Sequence, residues 1–123
     1  MIIIGDKYIP YETIEQINSI DDIKSTKPNS TLFFDFNKEI MQYCMINDIS
    51  YAVLISSLKE SIYANNMNAK YIFCSDKISQ NIQKIAENYL FDSKIIATIK
   101  SEDEIEKFAI DGIDGVIYDS MLK

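Results

Sequence analysis

Several charged side chains that could bind a ligand or take part in catalysis follow apolar segments of this chain. Asp35, Asp76 and Asp119 each stand at or just after the end of such a segment, and Lys100 follows another. Carboxylates that meet at one edge of a sheet could hold Mg²⁺, which prefers oxygen ligands and needs no histidine. We therefore predict a site for a polar ligand formed by Asp35, Asp76, Lys100 and Asp119. If Mg²⁺ is the cofactor, Asp35 and Asp119 are its predicted ligands, and no other cofactor is expected.

Polar residues at these positions also have a structural explanation. A turn from a strand into a helix needs side chains that accept hydrogen bonds from the free amides of the helix start. The residues of suitable type at the expected helix starts are Asp35, Asn37, Ser57, Ser75, Asp76 and Ser101. Ser57 and Ser101 are each followed three positions later by glutamate, which is the spacing of a capping box. This interpretation assigns most of the set to helix capping.

The elements that would position these residues are five apolar segments of strand length. They do not alternate apolar with polar residues, which is typical of strands buried on both faces of a parallel sheet. The segments are residues 31–36, 51–56, 71–75, 94–99 and 115–118. Helical spacing lies between them, as in Ile40 with Cys44 and Ile78 with Ile82. We predict an α/β fold with an open, mostly parallel five- or six-stranded sheet and helices on both faces, flavodoxin-like or half-barrel-like.

The N-terminal segment is less regular. Gly5 and Asp6 separate two short apolar stretches and suit a tight turn, so an N-terminal β-hairpin is predicted. We expect residues 1–123 to form a single α/β domain. In this division residues 1–29 are a hairpin and helix extension, and residues 30–123 are the repeating strand–helix core.

Composition argues against several classes of function. The net charge is −7, with no arginine and no basic run, so a nucleic acid partner is not expected. There is no histidine to activate a serine or cysteine nucleophile, and three glycines are too few for a dinucleotide-binding or P-loop motif. Cys44 and Cys74 have no metal-binding spacing and are expected to be reduced and buried. No apolar run is long enough to span a bilayer.

Residues 95–123, "IIATIKSEDEIEKFAIDGIDGVIYDSMLK", resemble the last two strand units of phosphate-binding TIM barrels of the tryptophan synthase alpha and indoleglycerol-phosphate synthase families. The matching positions are Ser101, Glu102, Gly112, Asp114, Gly115, Val116 and Ile117. Those families grip phosphate with a glycine directly after the last of these strands, where this chain has Tyr118 and Asp119. The resemblance therefore implies strand–helix packing rather than phosphate binding. A chain of 123 residues is also too short for an eight-unit barrel of about 250 residues.

Two functional hypotheses follow. The first is a non-catalytic, cytoplasmic bacterial protein that acts through self-association as a homodimer or through a protein partner, without nucleic acid or membrane. The second is a small enzyme or metabolite-binding protein, with or without Mg²⁺, that uses an acidic site at the carboxyl ends of the strands. The residue types favour the first and leave catalysis open.

Overall fold

The computed structural model describes residues 1–122; Lys123 lies outside the described residues. The strands are β1 (Ile2–Ile4), β2 (Ile14–Gln16), β3 (Thr31–Asp35), β4 (Tyr51–Leu54), β5 (Tyr71–Cys74), β6 (Lys94–Ile99) and β7 (Gly115–Tyr118). The helices are α1 (Lys38–Ile46), α2 (Leu58–Asn66), α3 (Asp76–Asn88) and α4 (Ile105–Ile110). Short 3-10 helices lie at Ile20–Ser25, Glu102–Glu104 and Asp119–Leu122. Within residues 1–122 no helix has the length and apolar character needed to cross a bilayer.

The strands form one all-parallel sheet in the order β1-β7-β6-β5-β4-β3-β2. The predicted α/β fold with an open, parallel sheet is confirmed. The strand count of five or six is wrong, because residues 1–122 contribute seven strands. The additional strands are short, and β2 has the sequence Ile-Glu-Gln, in which no apolar run marks a strand.

The predicted N-terminal β-hairpin is also wrong, because β1 and β2 lie at opposite edges of the sheet. Ile3 pairs with Val116 of β7, and Glu15 pairs with Leu32 of β3, both in parallel register. A two-stranded ribbon is marginal in water, whereas a short strand that joins the edge of a large sheet gains a complete ladder and a core. Both N-terminal strands therefore extend the main sheet.

The four helices cover one face of the sheet, so the prediction of helices on both faces is wrong. From β2 to β7 each strand lies beside the next one along the chain, and right-handed crossovers that all step in one direction put every helix on the same side. Buried residues of all four helices belong to a single apolar cluster, including Met41, Ala64, Ile82 and Phe108. This sequential order gives a curled half-barrel and differs from the strand order of flavodoxin.

All four helices end in the same backbone motif, in which the residue after the C-cap has a left-handed conformation. These residues are Asp48 (φ 54°), Asn68 (φ 68°), Leu90 (φ 54°) and Gly112 (φ 74°). After α3, the Leu90 N–H donates to the carbonyl oxygen of Glu87, and the Phe91 N–H donates to that of Ala86. The motif supplies donors to carbonyls that the helix leaves free, and its left-handed position favours glycine, asparagine or aspartate. Leu90 is the exception.

The inner face of the half-barrel carries its own apolar cluster, built from alternate strand residues. Its fully buried members include Phe33, Phe73, Ile96 and Ile117. The connection between β1 and β2, residues 5–13, runs from one edge of the sheet to the other past this face; we call it the strap. Residues of the 3-10 helix Asp119–Leu122 pack against the same cluster. This helix thus covers part of the face that the α-helices leave open, and the strap contacts Tyr71 of that face and Met121 of the helix.

Glu12 anchors the strap to the amino-terminal ends of β3 and β5. Its carboxylate accepts hydrogen bonds from the hydroxyls of Thr31 and Tyr71, and Lys70 Nζ lies 2.9 Å from its Oε2 atom. Burial of the carboxylate opposes ionisation, but the hydrogen bonds from Thr31, Tyr71 and Lys70 outweigh it and lower the pKa of Glu12. The carboxylate therefore contributes stability in its ionised form.

We expect Glu12→Gln to lower the free energy of unfolding at pH 7 by about 1–2 kcal/mol, because charge-assisted hydrogen bonds are lost. A lowered pKa in the folded state gives stability that is present above the unfolded value and is lost as pH falls through the folded value. The difference between wild type and variant should therefore shrink below the usual pKa of 4.5. Urea unfolding between pH 3 and pH 7 measures it, with Glu87→Gln, on the exposed side of α3, as the control. A pH-independent difference would contradict the ionic role.

Gly115 begins β7 and pairs with Ile2 of β1 and Ile96 of β6. A Cβ atom at this position would lie 2.6 Å from the carbonyl oxygen of Ile2, 2.7 Å from its Cβ, and 2.8 Å from Cδ1 of Ile96. The carbonyl oxygen is backbone, so it cannot move away without displacing β1. A side chain at Gly115 would therefore prevent the close approach of β1 to β7.

Asp114 ties the same turn to its neighbours. Its Oδ2 atom accepts a hydrogen bond from the Ile95 N–H at 2.9 Å, and its own N–H donates to Gln83 Oε1 at 3.0 Å. The side chain thus satisfies a backbone donor at the start of β6, while buried Gln83 holds the turn from α3. Packing and hydrogen bonding therefore explain why Asp114 and Gly115 stand at these positions.

Gly115→Ala should lower the free energy of unfolding by about 1–3 kcal/mol, because the new methyl group overpacks the junction with β1. Gly112→Asn is the matched control, since a Cβ atom at Gly112 meets nothing within 4 Å and asparagine tolerates its φ of +74°. Urea unfolding of both variants tests the point. Equal stability of Gly115→Ala and wild type would show that β1 does not need this close approach.

Candidate functional site

A cleft of about 670 Å³ opens at the carboxyl ends of the strands, where α/β sheets bind ligands. Its apolar lining includes Leu54 from β4, Leu122 from the last 3-10 helix, Phe36 after β3 and Ile78 from the first turn of α3. Its polar lining includes Asp35, Ser56, Glu60, Ser75, Lys77, Thr98 and Asp119. We call it the strand-end cleft.

Asp35 and Asp119 both line this cleft, although they come from distant strands. Asp35 ends β3 and Asp119 follows β7, and three strands separate β3 from β7 in the sheet. In a flat sheet four spacings of about 4.8 Å would hold these positions roughly 19 Å apart. The curl of the half-barrel instead brings them to one cavity. Asp35 is exposed, and Asp119 is half-buried.

Asp76 and Lys100, the other predicted site residues, do not line the strand-end cleft. Asp76 begins α3, and its Oδ2 atom lies 3.8 Å from Nζ of Lys107 on α4. Lys100 follows β6, and its backbone N–H donates to Oε2 of Glu104 at 2.6 Å. The two residues serve the link between α3 and α4 and the start of a 3-10 helix. The structure thus brings together two of the four predicted residues.

Asn37 and Ser57 cap helices, as predicted, whereas Ser75 makes no side-chain capping hydrogen bond at the start of α3. Asn37 Oδ1 accepts hydrogen bonds from the N–H groups of Glu39 and Ile40 at the start of α1. Ser57 Oγ accepts from the Glu60 N–H at 3.2 Å, and Glu60 Oε1 accepts from the Ser56 N–H at 2.9 Å. The Glu60 carboxylate is therefore engaged in capping although it borders the cleft. Asp35 and Asp119 are left as the carboxylates that could meet a ligand.

Lys77 and Leu122 were missed as lining residues. Lys77 lies in the first turn of α3, directly after Asp76, and its position at a helix start was the one available signal. Whether a side chain in that first turn points over the sheet or away from it depends on how the helix docks. Leu122 belongs to a terminal turn that sequence patterns do not mark. Both positions are decided by tertiary packing.

The two cysteines are core residues, as expected. Cys44 and Cys74 have no exposed surface, and both are free thiols. Burial raises the pKa of the Cys44 thiol to about 11 and that of the Cys74 thiol to about 12, so neither supplies a thiolate at neutral pH.

A metal site would have to be formed by few side chains. Among residues 1–122, no three histidine, cysteine, aspartate or glutamate side chains are grouped to hold a metal ion. Mg²⁺ often keeps several of its waters and binds through one or two carboxylates. Asp35 and Asp119 as ligands of Mg²⁺ therefore stay a prediction.

Comparisons of this chain with known protein families and with curated proteins found no match. The resemblance of the C-terminal segment to phosphate-binding TIM barrels stays a prediction. Gly115 and Asp114, which carry part of it, are explained by close packing and by a backbone hydrogen bond. The geometry of the strand-end cleft, rather than membership of a family, carries the functional conclusion.

Proposed function

We propose that this protein binds a small organic molecule with a primary amino group in the strand-end cleft, without transforming it. The observation that carries the proposal is the meeting of Asp35 and Asp119 in one cavity with an apolar lining. Two carboxylates on one cavity favour a positively charged ligand, because each charge lowers the energy of a cation placed between them.

The remaining lining residues narrow the ligand class. Leu54, Phe36, Ile78 and Leu122 offer apolar surface for the carbon skeleton of a ligand. Ligand sites typically combine such surface with a few polar groups that fix orientation. Lys77 adds one positive charge on the α3 side, which suits a ligand that also carries a carboxylate. An amino acid with a basic side chain matches both the two carboxylates and Lys77, whereas a diamine matches the carboxylates alone.

Binding without catalysis is supported by the residue types at the cleft. Its hydroxyl groups belong to Ser56, Ser75 and Thr98, and the chain has no histidine to activate them. Both thiols lie in the core. The carboxylates and Lys77 can orient a ligand through charge and hydrogen bonds.

The test is thermal unfolding in the presence of 1,4-diaminobutane, lysine and ethanolamine, with Mg²⁺ and inorganic phosphate as comparisons. A ligand at 100 times its dissociation constant stabilises the fold by about 2.7 kcal/mol, which raises the melting temperature by several degrees. We expect an amine to produce this shift, and Asp35→Asn and Asp119→Asn to remove most of it.

Asp48→Asn is the matched control. Asp48 is exposed in the turn after α1, and asparagine tolerates its φ of 54°, so the amine response should be unchanged. A shift with Mg²⁺ but with no amine would replace the proposal by a metal site. An amine response that survives in both cleft variants, or no response at all, would overturn it.

Self-association is a second candidate, and Leu90 favours it. Leu90 occupies the left-handed position after α3, where the other helices have Asp, Asn and Gly, and its side chain is 84% exposed. A leucine in this conformation costs about 1 kcal/mol, and an exposed apolar side chain returns nothing to the isolated chain. Ile46 and Ile110, at the ends of α1 and α4, are also more than 70% exposed. The carboxyl-terminal ends of the helices therefore offer exposed apolar side chains for the contact surface of a homodimer.

Leu90→Asn separates the folding of the chain from its association. We expect the free energy of unfolding of the variant to be higher by about 0.5–1 kcal/mol, because asparagine relieves the backbone strain. The variant should therefore unfold at a higher denaturant concentration. We expect it also to dissociate at higher protein concentration than wild type in analytical ultracentrifugation, because an apolar contact is lost. Tyr89→Ala, at the neighbouring position, controls for loss of exposed apolar surface alone. A wild-type chain that stays monomeric at all concentrations would remove this candidate.

A further inference from the structure

A second, smaller cleft of about 300 Å³ lies where the strap leaves β1. Its lining comes from the first residues of the strap, from Tyr118 at the end of β7, and from Glu102 in the 3-10 helix after β6. It shares no lining residue with the strand-end cleft. We call it the strap cleft.

Two carboxylates converge on the strap cleft. Asp6 Oδ1 accepts a hydrogen bond from the Tyr8 N–H at 2.8 Å, and Asp6 Oδ2 accepts one from the Tyr118 hydroxyl at 3.3 Å. The pKa of Tyr118 is raised by desolvation, with the charges of Asp6 and Glu102 adding to the effect. Asp6 and Glu102 both line the cleft, so its charged side chains are two carboxylates and the ammonium group of Lys7.

Two tyrosines, Tyr8 and Tyr118, line the same cleft. The Tyr8 side chain is 82% exposed, although the rest of the chain buries most of its large apolar residues. Nζ of Lys7 lies 5.0 Å from the centroid of the Tyr8 ring, which is within the range of a cation–π interaction. One face of the ring is thus already matched with a positive charge from the chain itself. Tyr118 adds a second, half-buried ring to the lining.

We infer that the strap cleft binds an organic ammonium group, held by the rings of Tyr8 and Tyr118 and by the charges of Asp6 and Glu102. Aromatic faces combined with carboxylates favour methylated ammonium ions, which gain from cation–π contact and need few hydrogen bonds. Lys7 is the internal competitor, because its ammonium group uses the same ring. The inference goes beyond the proposed function, since it concerns a different set of residues and a different type of cation.

The experiment is titration of the full chain with tetramethylammonium, followed by NMR chemical shifts of the tyrosine rings. Tyr8→Ala and Glu102→Gln should each weaken binding by roughly 2–5-fold, which corresponds to an exposed cation–π contact or a screened charge. Lys7→Gln should strengthen binding by a similar factor, because it removes the competing cation. Opposite signs for Glu102→Gln and Lys7→Gln, which remove opposite charges and leave the same side chain, are the expected signature.

Matched controls separate this cleft from general effects of charge and exposure. Tyr89→Ala removes another exposed tyrosine and Glu87→Gln another exposed glutamate, both at the end of α3, and neither should change the affinity. Asp35→Asn should also leave tetramethylammonium binding unchanged, so this inference and the proposed function can fail separately. No binding of tetramethylammonium, or equal affinities in Tyr8→Ala, Glu102→Gln and Lys7→Gln, would overturn the inference.

The source of the ammonium group can be read from two further titrations. A short peptide with one trimethyllysine that binds more tightly than tetramethylammonium would support the inference with a protein side chain as the ligand. Choline binding at least as tightly as the peptide would support it with a free metabolite. Binding of potassium ions equal to that of tetramethylammonium would contradict it, because the rings would then play no part.

Discussion

A parallel sheet in which each strand lies beside the next one along the chain puts its helices on one face and leaves the other face to be covered by something else. In this protein the face without helices carries Phe33, Phe73, Ile96 and Ile117, which are almost completely buried. Exposure of such side chains would cost about 1.5–3 kcal/mol each. The curl of the sheet, the strap and the terminal 3-10 helix all follow from the need to cover this face.

The same constraint explains how the ends of the chain are used. β1 joins β7 at one edge and β2 joins β3 at the other, so the strap between them has to pass the inner face. Glu12 fixes the strap by hydrogen bonds from Thr31 and Tyr71, and the Tyr11 hydroxyl contacts the sulfur of Met121 at 3.7 Å. Both candidate sites are consequences of this arrangement. Curling brings Asp35 and Asp119 to one cavity, and the departure of the strap from β1 forms the cleft around Asp6 and Tyr118.

Helix ends show how local rules and functional surfaces can be told apart. The four turns after the helices share one hydrogen-bond pattern, and Asp48, Asn68 and Gly112 are the residue types that this pattern favours. Leu90 departs from the rule and is exposed, so neither local conformation nor core packing accounts for it. A residue that neither the backbone nor the core requires is a reasonable place to look for a contact with another molecule.

Local interactions were sufficient to determine much of this structure from the sequence. Apolar runs predicted the strands β3 to β7, helical spacing predicted the helices between them, and capping residues such as Asn37 and Ser57 were recognised by type and spacing. Each of these signals arises from groups within a few residues of one another, where sequence distance and spatial distance agree. The buried thiols of Cys44 and Cys74 were likewise predictable from their apolar surroundings.

Tertiary structure alone decided the partners of β1 and β2, the single face that carries the helices, and the carboxylates that share a cavity. A three-residue strand has too few side chains to select its neighbour by pattern, and its place is set by which sheet edge offers a ladder and apolar cover. Asp35 and Asp76 look equivalent in the sequence, since both stand at the start of a helix. The curl of the sheet turns the first into the cavity, while the docking of α3 beside α4 directs the second towards Lys107. The sequence showed the chemical type of each residue, but its spatial neighbours depended on contacts between strands far apart in the chain.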